Sequence, residues 1–429
     1  MALLIFLLFL VFAVLMYSRR LPALLALPMM AVLIACLPNL RHPLDSITLV
    51  FDKGVTRLAG AMVNAVFGAI LAQVVFTSHI AQTLVKKASE LAGDRPVPVA
   101  LCMMFATAAA FLAIGGLGAV IMIGTLVLPV MIGVGLRPLA ASCIFLFGVS
   151  IGLQWNVAGW GFYQDVLKVP VGSVALFATI TGIPLAAAGL AYTLVNARSR
   201  RSMWTGPTEQ PPPPPRISGL ALMTPLLPVA LILGCRFLDK LTWGHVPSID
   251  FNINAALMLA ATYGILTTYP KEIVNRLTGA MIEGIKAVAP VLGLMIGIGM
   301  VVTALTSEPV KLVVAPALAA IIPHSPWGYV LFFGLLSPLA LYRGPLNLYG
   351  LGAGVGAILT TIFAPHLVMG ALMGTGLVQG VCDPTNTMNV WTAEFAKTDV
   401  NRILRSTLPY VMAASAVSLA YIALTQWHR

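Results

Sequence analysis

Arg57-Leu58-Ala59-Gly60-Ala61-Met62-Val63 is answered in the second half of the chain by Arg276-Leu277-Thr278-Gly279-Ala280-Met281-Ile282, and each copy opens a long apolar segment. Two further echoes follow in the same order. Gly115-Gly116-Leu117-Gly118 interrupts one apolar run, as Tyr342-Arg343-Gly344-Pro345-Leu346-Asn347 interrupts its counterpart. Asn156-Val157, with Phe162 six residues after the asparagine, is matched by Asn389-Val390 with Phe395 at the same spacing. Two apolar halves, each carrying two polar or glycine-rich breaks, give the sequence outline of a secondary transporter.

Composition sets the class independently. Hydrophobic residues make up 59% of the chain and charged residues only 9%, against about 25% charged in a soluble domain. The length is therefore counted in membrane spans of about 20 residues. The five cysteines lie in or at the end of apolar runs without ligand spacing and read as small apolar side chains. The histidines are scattered, so no metal or other cofactor is expected. In the first segment, Met1 to Tyr17, positive charge follows the apolar run as Ser18-Arg19-Arg20 instead of preceding it. That order is the reverse of a cleaved signal peptide and predicts a retained helix.

Apolar runs fall into two sets, residues 2–17 to 173–195 and residues 219–237 to 405–425, on either side of a linker. The linker carries Arg198, Arg200, Arg201, five consecutive prolines (Pro211 to Pro215) and Arg216, which makes an extended spacer. The predicted units are an N-terminal transmembrane repeat (1–197), a cytoplasmic linker (198–217) and a C-terminal repeat (218–429). Placing Arg19 and Arg20 inside puts fifteen basic residues on the cytoplasmic side and eight outside, the bias expected of a multi-pass protein. Orientation thus accounts for the net charge of +11, with no need of nucleic acid. Each half crosses with odd parity, so the second copy is expected to be inverted. Whether 97–135 and 328–364 are full spans or re-entrant hairpins is left open by the parity, and 310–322 reads as an interfacial helix matching 79–92.

The breaks are where chemistry is expected, because an unwound stretch in a membrane survives only beside protein or a water-filled cavity. Gly116 and Gly118 can expose free N–H groups at the start of the next half-helix, a seat for a carboxylate. Arg343 offers a planar fork for the same group, with Asn347 and Tyr349 adding neutral hydrogen bonds. Asp383-Pro384 ends a helix, and Thr385, Asn386, Thr387 and Asn389 follow with hydroxyls and amides. The first-half partner of that cluster is Gln154-Trp155-Asn156-Val157-Ala158-Gly159-Trp160. Asp383 is the candidate for ion coupling by a proton or sodium. Asp165 is placed at the outer surface. Glu283 and Lys286, three apart on one helix face, are expected to pair with each other.

The stretch Asn389-Val390-Trp391-Thr392-Ala393-Glu394-Phe395, with Val400 to Arg405 leading into the last helix, resembles the closing segment of the gluconate/proton symporters. Those carriers in turn resemble the citrate, lactate and dicarboxylate carriers of the ion transporter superfamily. The resemblance implies an all-α polytopic fold of two inverted repeats whose broken helices or hairpins meet near the bilayer midplane. It also implies uptake of an organic anion, and related carriers suggest a homodimer. Arg343 and the Asp-Pro-Thr-Asn-Thr run depart from the family pattern, so substrate identity does not carry over. The expectation is a non-enzymatic, proton-coupled carrier of a small carboxylate or sugar acid in the bacterial inner membrane, working by alternating access. The alternatives are a sodium-coupled carrier, the membrane subunit of a binding-protein-dependent importer, a channel, and an enzyme of lipid-linked substrates.

Overall fold

The computed structural model describes residues 1–17, 20–93, 95–197, 217–241, 251–320 and 322–427. The linker expected at 198–217 lies outside the described residues except for Ile217. The described residues form helices and turns with no strand.

The first half runs α1 (Ala2–Tyr17), α2 (Ala23–Cys36), α3 (Pro43–Leu49), α4 (Ala59–Thr77), α5 (Ile80–Ala92), α6 (Pro96–Phe111), α7 (Leu117–Gly133), α8 (Pro138–Gln154), α9 (Val157–Leu167) and α10 (Val171–Asn196). The second runs α11 (Leu227–Leu241), α12 (Ile253–Thr268), α13 (Ile273–Thr306), α14 (Glu308–Ala319), α15 (Pro326–Leu336), α16 (Ala353–Leu359), α17 (Pro365–Cys382), α18 (Thr387–Phe395) and α19 (Val400–Gln426). The order from α4 to α10 recurs from α13 to α19. Both series read long helix, short helix, two arms around a break, a helix with a short continuation, and a long closing helix.

The boundaries follow local chemistry. Proline stands in the first turn of α6, α8, α15 and α17, where its missing N–H costs nothing. At 16 and 17 residues, α6 and α7 reach only about 24–26 Å, short of the ~30 Å hydrocarbon core. In the second half α15 gives way to a 3₁₀ stretch (Ser337–Arg343) and α16 is preceded by a π-helical turn (Leu348–Gly352). These arms are shorter than α10, α13 and α19, which close or open the two series. The segments long and apolar enough to cross are Pro43–Thr77, Val171–Asn196, Pro270–Thr306 and Val400–Gln426, and the pair α8–α9 qualifies as one span bent by 58°. Pro43–Thr77 begins earlier than the expected run at 58, because α3 and a π-helical turn (Val50–Gly54) lead into α4.

Two groups of helices emerge from the packing. One pairs α13 with α2 and α4, and α12 with α4 and α11. The other pairs α6 with α8, α10 with α8 and α19, and α17 with α19. We call the first the frame and the second the core. The frame helices α4 and α13 lie antiparallel, since Gly54 meets Met300 and Gly284 meets Ala69 and Ile70. The two copies of the sequence echo differ in place: the first straddles the start of α4, and the second sits just inside α13.

Candidate functional site

The core helices α8 and α17 cross where a Cβ on Gly380 would lie 2.9 Å from the Ser150 hydroxyl. Each helix breaks about one turn later, α8 at Trp155-Asn156 and α17 at Asp383 to Asn386. The crossing therefore brings the two expected breaks into one region. Ser150 and Gly380 were not legible as site residues, since a lone serine or glycine in an apolar helix carries no spacing signal.

Asn156 organises the first break. It is 8% exposed and its Oδ1 accepts from Ala158 N at 3.1 Å, capping α9. Its Nδ2 donates to Phe111 O and Ile114 O, each at 3.1 Å, two carbonyls where α6 ends and would otherwise lack partners. One side chain thus ties the broken helix to the hairpin formed by α6 and α7. Beside it, the half-buried Gln154 accepts from Thr181 Oγ1 at 3.2 Å.

In the second break Asp383 is 1% exposed and Asn389 is fully buried. Asp383 Oδ1 accepts from Thr385 N and Thr385 Oγ1 at 2.8 and 2.7 Å. Asn386 Oδ1 caps α18 by accepting from Met388 N at 3.1 Å. Asn389 Nδ2 donates to Asp383 O at 3.0 Å and Val381 O at 3.2 Å. Asp383 Oδ2 and Asn389 Oδ1 remain buried with no hydrogen-bond partner. Thr387 is exposed. Among the described residues no group of His, Cys, Asp and Glu is arranged to hold a metal ion.

Asparagine recurs at the third break. Asn347, 2% exposed, accepts from Tyr349 N at 3.0 Å, which caps the turn leading to α16. The fourth break differs. Gly116 stands before α7 with φ 85° and no side chain caps that helix. A Cβ on Gly116 or Gly118 would meet nothing within 4 Å, and both residues are exposed. Three half-helices therefore begin under an asparagine and α7 begins bare. The Arg343 side chain lies outside the described residues.

Each hairpin is engaged by the broken helix of the other half. The Tyr349 ring stacks on Phe162 of α9 with centroids 5.0 Å apart, and its hydroxyl is 3.3 Å from the position of a Gly159 Cβ. Reciprocally, the Trp391 ring of α18 fills the space over Gly124 of α7, where a Cβ would sit 2.5 Å from it. Phe395 stacks on the other side of Trp391 at 5.0 Å. These aromatic–glycine pairs join residues far apart in sequence, which is why nothing in the sequence singled out Gly124.

Asp165 is not a free surface carboxylate. Its Oδ2 accepts from Ala61 N at 2.5 Å and so supplies the cap for α4 that Leu58 does not. Gly60 leaves the room for it, since a Cβ there would lie 2.8 Å from the carboxylate. Glu283 and Lys286 do pair, at 2.7 Å.

Two cavities lie along the second-half hairpin. One of about 300 Å³ sits between the ends of α13 and α16, lined by Leu305, Thr306, Lys311 and Thr360 among others. Another of about 230 Å³ lies beside Pro338, Tyr342 and Pro345.

No protein-family model matches the sequence, and no curated protein matches it in sequence. Solved structures do match in shape. The YdaH transporter of Alcanivorax borkumensis superposes with a TM-score of 0.62 at 16% identity, over 89% of this chain and 88% of that one. MtrF of Neisseria gonorrhoeae, described as illuminating a class of antimetabolite efflux pumps, superposes with a TM-score of 0.53 at 16% identity, over 88% and 84%. The chain is a multi-pass membrane protein with the fold of these transporters.

Proposed function

We propose that this protein is a secondary carrier of the bacterial inner membrane that moves a small organic anion, a carboxylate or sugar acid, coupled to a cation. The observation that carries the reading is the pair of buried, unpartnered oxygens, Asp383 Oδ2 and Asn389 Oδ1, in a break one turn beyond the α8–α17 crossing. A buried acceptor without a donor costs about 1–3 kcal/mol. A proton on Asp383, or a sodium ion taken by both oxygens, removes that cost. Filling and emptying such a place during turnover is how a cation gradient can drive a carrier.

The anion has its own seat in this reading. The bare N-terminus of α7 offers free N–H groups and the positive end of a helix dipole, over glycines that leave space for a ligand. In this reading Arg343 supplies a positive charge to the anion, and Gln154, Asn347 and Thr387 supply hydrogen-bonding groups. The antiparallel course of α4 and α13 supports an inverted repeat, which gives the protein two related states that open to opposite sides. A homodimer remains part of the proposal through the carrier resemblance.

The test is uptake of radiolabelled carboxylates and sugar acids into proteoliposomes under an imposed pH or sodium gradient. Uptake driven by one gradient and abolished in Asp383→Asn supports the reading and names the cation. No movement of any organic acid under either gradient rejects it.

A further inference from the structure

The two halves present the same faces and use them differently. In the first half α4 packs along α9 through three interlocks. Gly60 receives Asp165, Gly161 receives Asn64, and Gly68 receives Ala158. On α4 these positions are four residues apart, so they form one stripe of small or short side chains. Through the sequence echoes the stripe Gly60, Asn64, Gly68 corresponds to Gly279, Glu283, Ala287 on α13, and Ala158, Gly161 on α9 correspond to Trp391, Glu394 on α18.

In the second half these faces are apart. The packing of α13 is on α2, α4 and α16, and that of α18 is on α7, α8 and α19. A Cβ on Gly279 would meet nothing within 4 Å. Glu283 and Lys286 are 58% and 67% exposed, and Glu394 and Lys397 are exposed as well. The frame helix α4 packs on α9, with α12 beside it, and α13 packs on α16, a broken helix in one half and a hairpin arm in the other.

The exposed charges argue that the α13 face has a partner. Glu283 lies ten residues into α13, about 15 Å along its axis, among exposed Met281, Ile282 and Ile285. A charged pair flanked by exposed apolar side chains is expensive against lipid and suits a water-filled opening or an interface. Its chemistry matches α18. The direct counterparts Glu283 and Glu394 are both acidic, and each has a lysine three residues on, Lys286 and Lys397. Docking the two faces antiparallel in the register of α4 on α9 sets Glu283 level with Glu394, and puts Lys286 and Lys397 each one turn away, on the side where it reaches the opposite acid.

We propose that the Gly279–Glu283–Lys286 face of α13 is the docking surface for α18 of the same chain in the opposite state of the transport cycle. In that state Lys286 meets Glu394, Glu283 meets Lys397, and α4 exchanges α9 for α7. The inference rests on the carrier reading and deepens it: one seam closes as the other opens. By the distribution of basic residues the α4–α9 seam is external and the α13–α18 seam cytoplasmic, so the structure described here is closed outside.

The seams are tested by cross-linking, independently of any substrate. Cysteines at Lys286 and Glu394 are bridged with a bifunctional thiol reagent in native membranes, and cross-linked peptides are identified by mass spectrometry, with the unsubstituted chain as background. The expected product is a 286–394 link within one monomer. Its yield rises about tenfold when Asp165→Ala and Asn64→Leu weaken the first seam, and falls when Ala61→Cys and Asp165→Cys are disulfide-locked. A 286–394 link between two copies assigns the face to a dimer and overturns the proposal. So does no link in the weakened variant, or both links in one molecule. A second variant pair checks the charges: with the cysteines at 286 and 394 in place, Glu283→Lys and Lys397→Glu each lower the yield, and the double variant restores it; failure to restore overturns the assigned pairing. Reciprocal links with no uptake of any organic acid uphold the moving seams and reject the substrate reading alone.

Discussion

Asn156→Ala is the perturbation whose consequence the structure specifies most fully. The substitution removes the acceptor that caps α9 and the two donors that hold Phe111 O and Ile114 O. Loss of an asparagine cap costs about 1 kcal/mol. Side-chain hydrogen bonds inside membranes average about 0.6 kcal/mol each, so the two lost bonds add about 1.2 as a floor. If the carbonyls stay dry, each costs about 1–3 kcal/mol. The loss therefore lies between about 2 and 7 kcal/mol, and the lower value is already about a 30-fold change in a local opening equilibrium. Amide hydrogen exchange followed by mass spectrometry reads it directly. Peptides covering 111–119 should exchange at least about 30-fold faster in the variant, while α10 and α19 keep their protection. Asn156→Asp separates the two roles: it keeps a capping acceptor, loses the donors, and should loosen the hairpin while α9 stays protected. Unchanged exchange at 111–119 in both variants would refute the account of Asn156 as the tie between break and hairpin.

Other expectations rest on separate contacts. Gly124→Leu cannot be accommodated under Trp391, where even a Cβ lies 2.5 Å from the ring; transport should be lost with expression retained, and Trp391→Ala in the same chain should restore part of it. Tyr349→Phe keeps the stacking on Phe162 at 5.0 Å and should transport near normally, whereas Tyr349→Ala removes about 1 kcal/mol of ring contact and should slow turnover more than it changes KM in uptake kinetics. Gly60→Ala sets a methyl within 2.8 Å of the Asp165 carboxylate; it should lower the apparent melting temperature in detergent, and Asp165→Ala in the same chain should recover part of that loss. Gly279→Ala, the corresponding change in the open second half, should leave the melting temperature unchanged, because a Cβ there meets nothing within 4 Å.

Much of the architecture was legible in the chain because a membrane leaves few options. With no water to satisfy the backbone, apolar runs must be helices, and proline, glycine and asparagine clusters must be the places where helices stop. The breaks at Asn156 and Asp383–Asn389 and the short helix α14 follow from that, and the Glu283–Lys286 pair follows from helical spacing. What each polar residue does in its break was not legible. Asn156, Asn347 and Asn386 read alike as hydrogen-bonding groups, yet each proves to be a cap whose oxygen is already used. Asp383 and Asn389 instead keep an oxygen free. Asp165, expected at the outer surface, is held by Ala61 from 104 residues away, a distance no local pattern encodes.

The sequence by itself determined an all-helical membrane chain of two related halves, because hydropathy and repeated strings are local properties that survive without the fold. Only the tertiary structure decided which halves of which helices touch. The α8–α17 crossing at Ser150 and Gly380, the rings of Trp391 and Tyr349 seated over glycines of the opposite half, and the closed α4–α9 seam beside the open face of α13 are all contacts between distant segments. The reason is physical. Two copies of a sequence carry the same local preferences, but in one conformation they occupy different surroundings, and that difference is a property of packing alone.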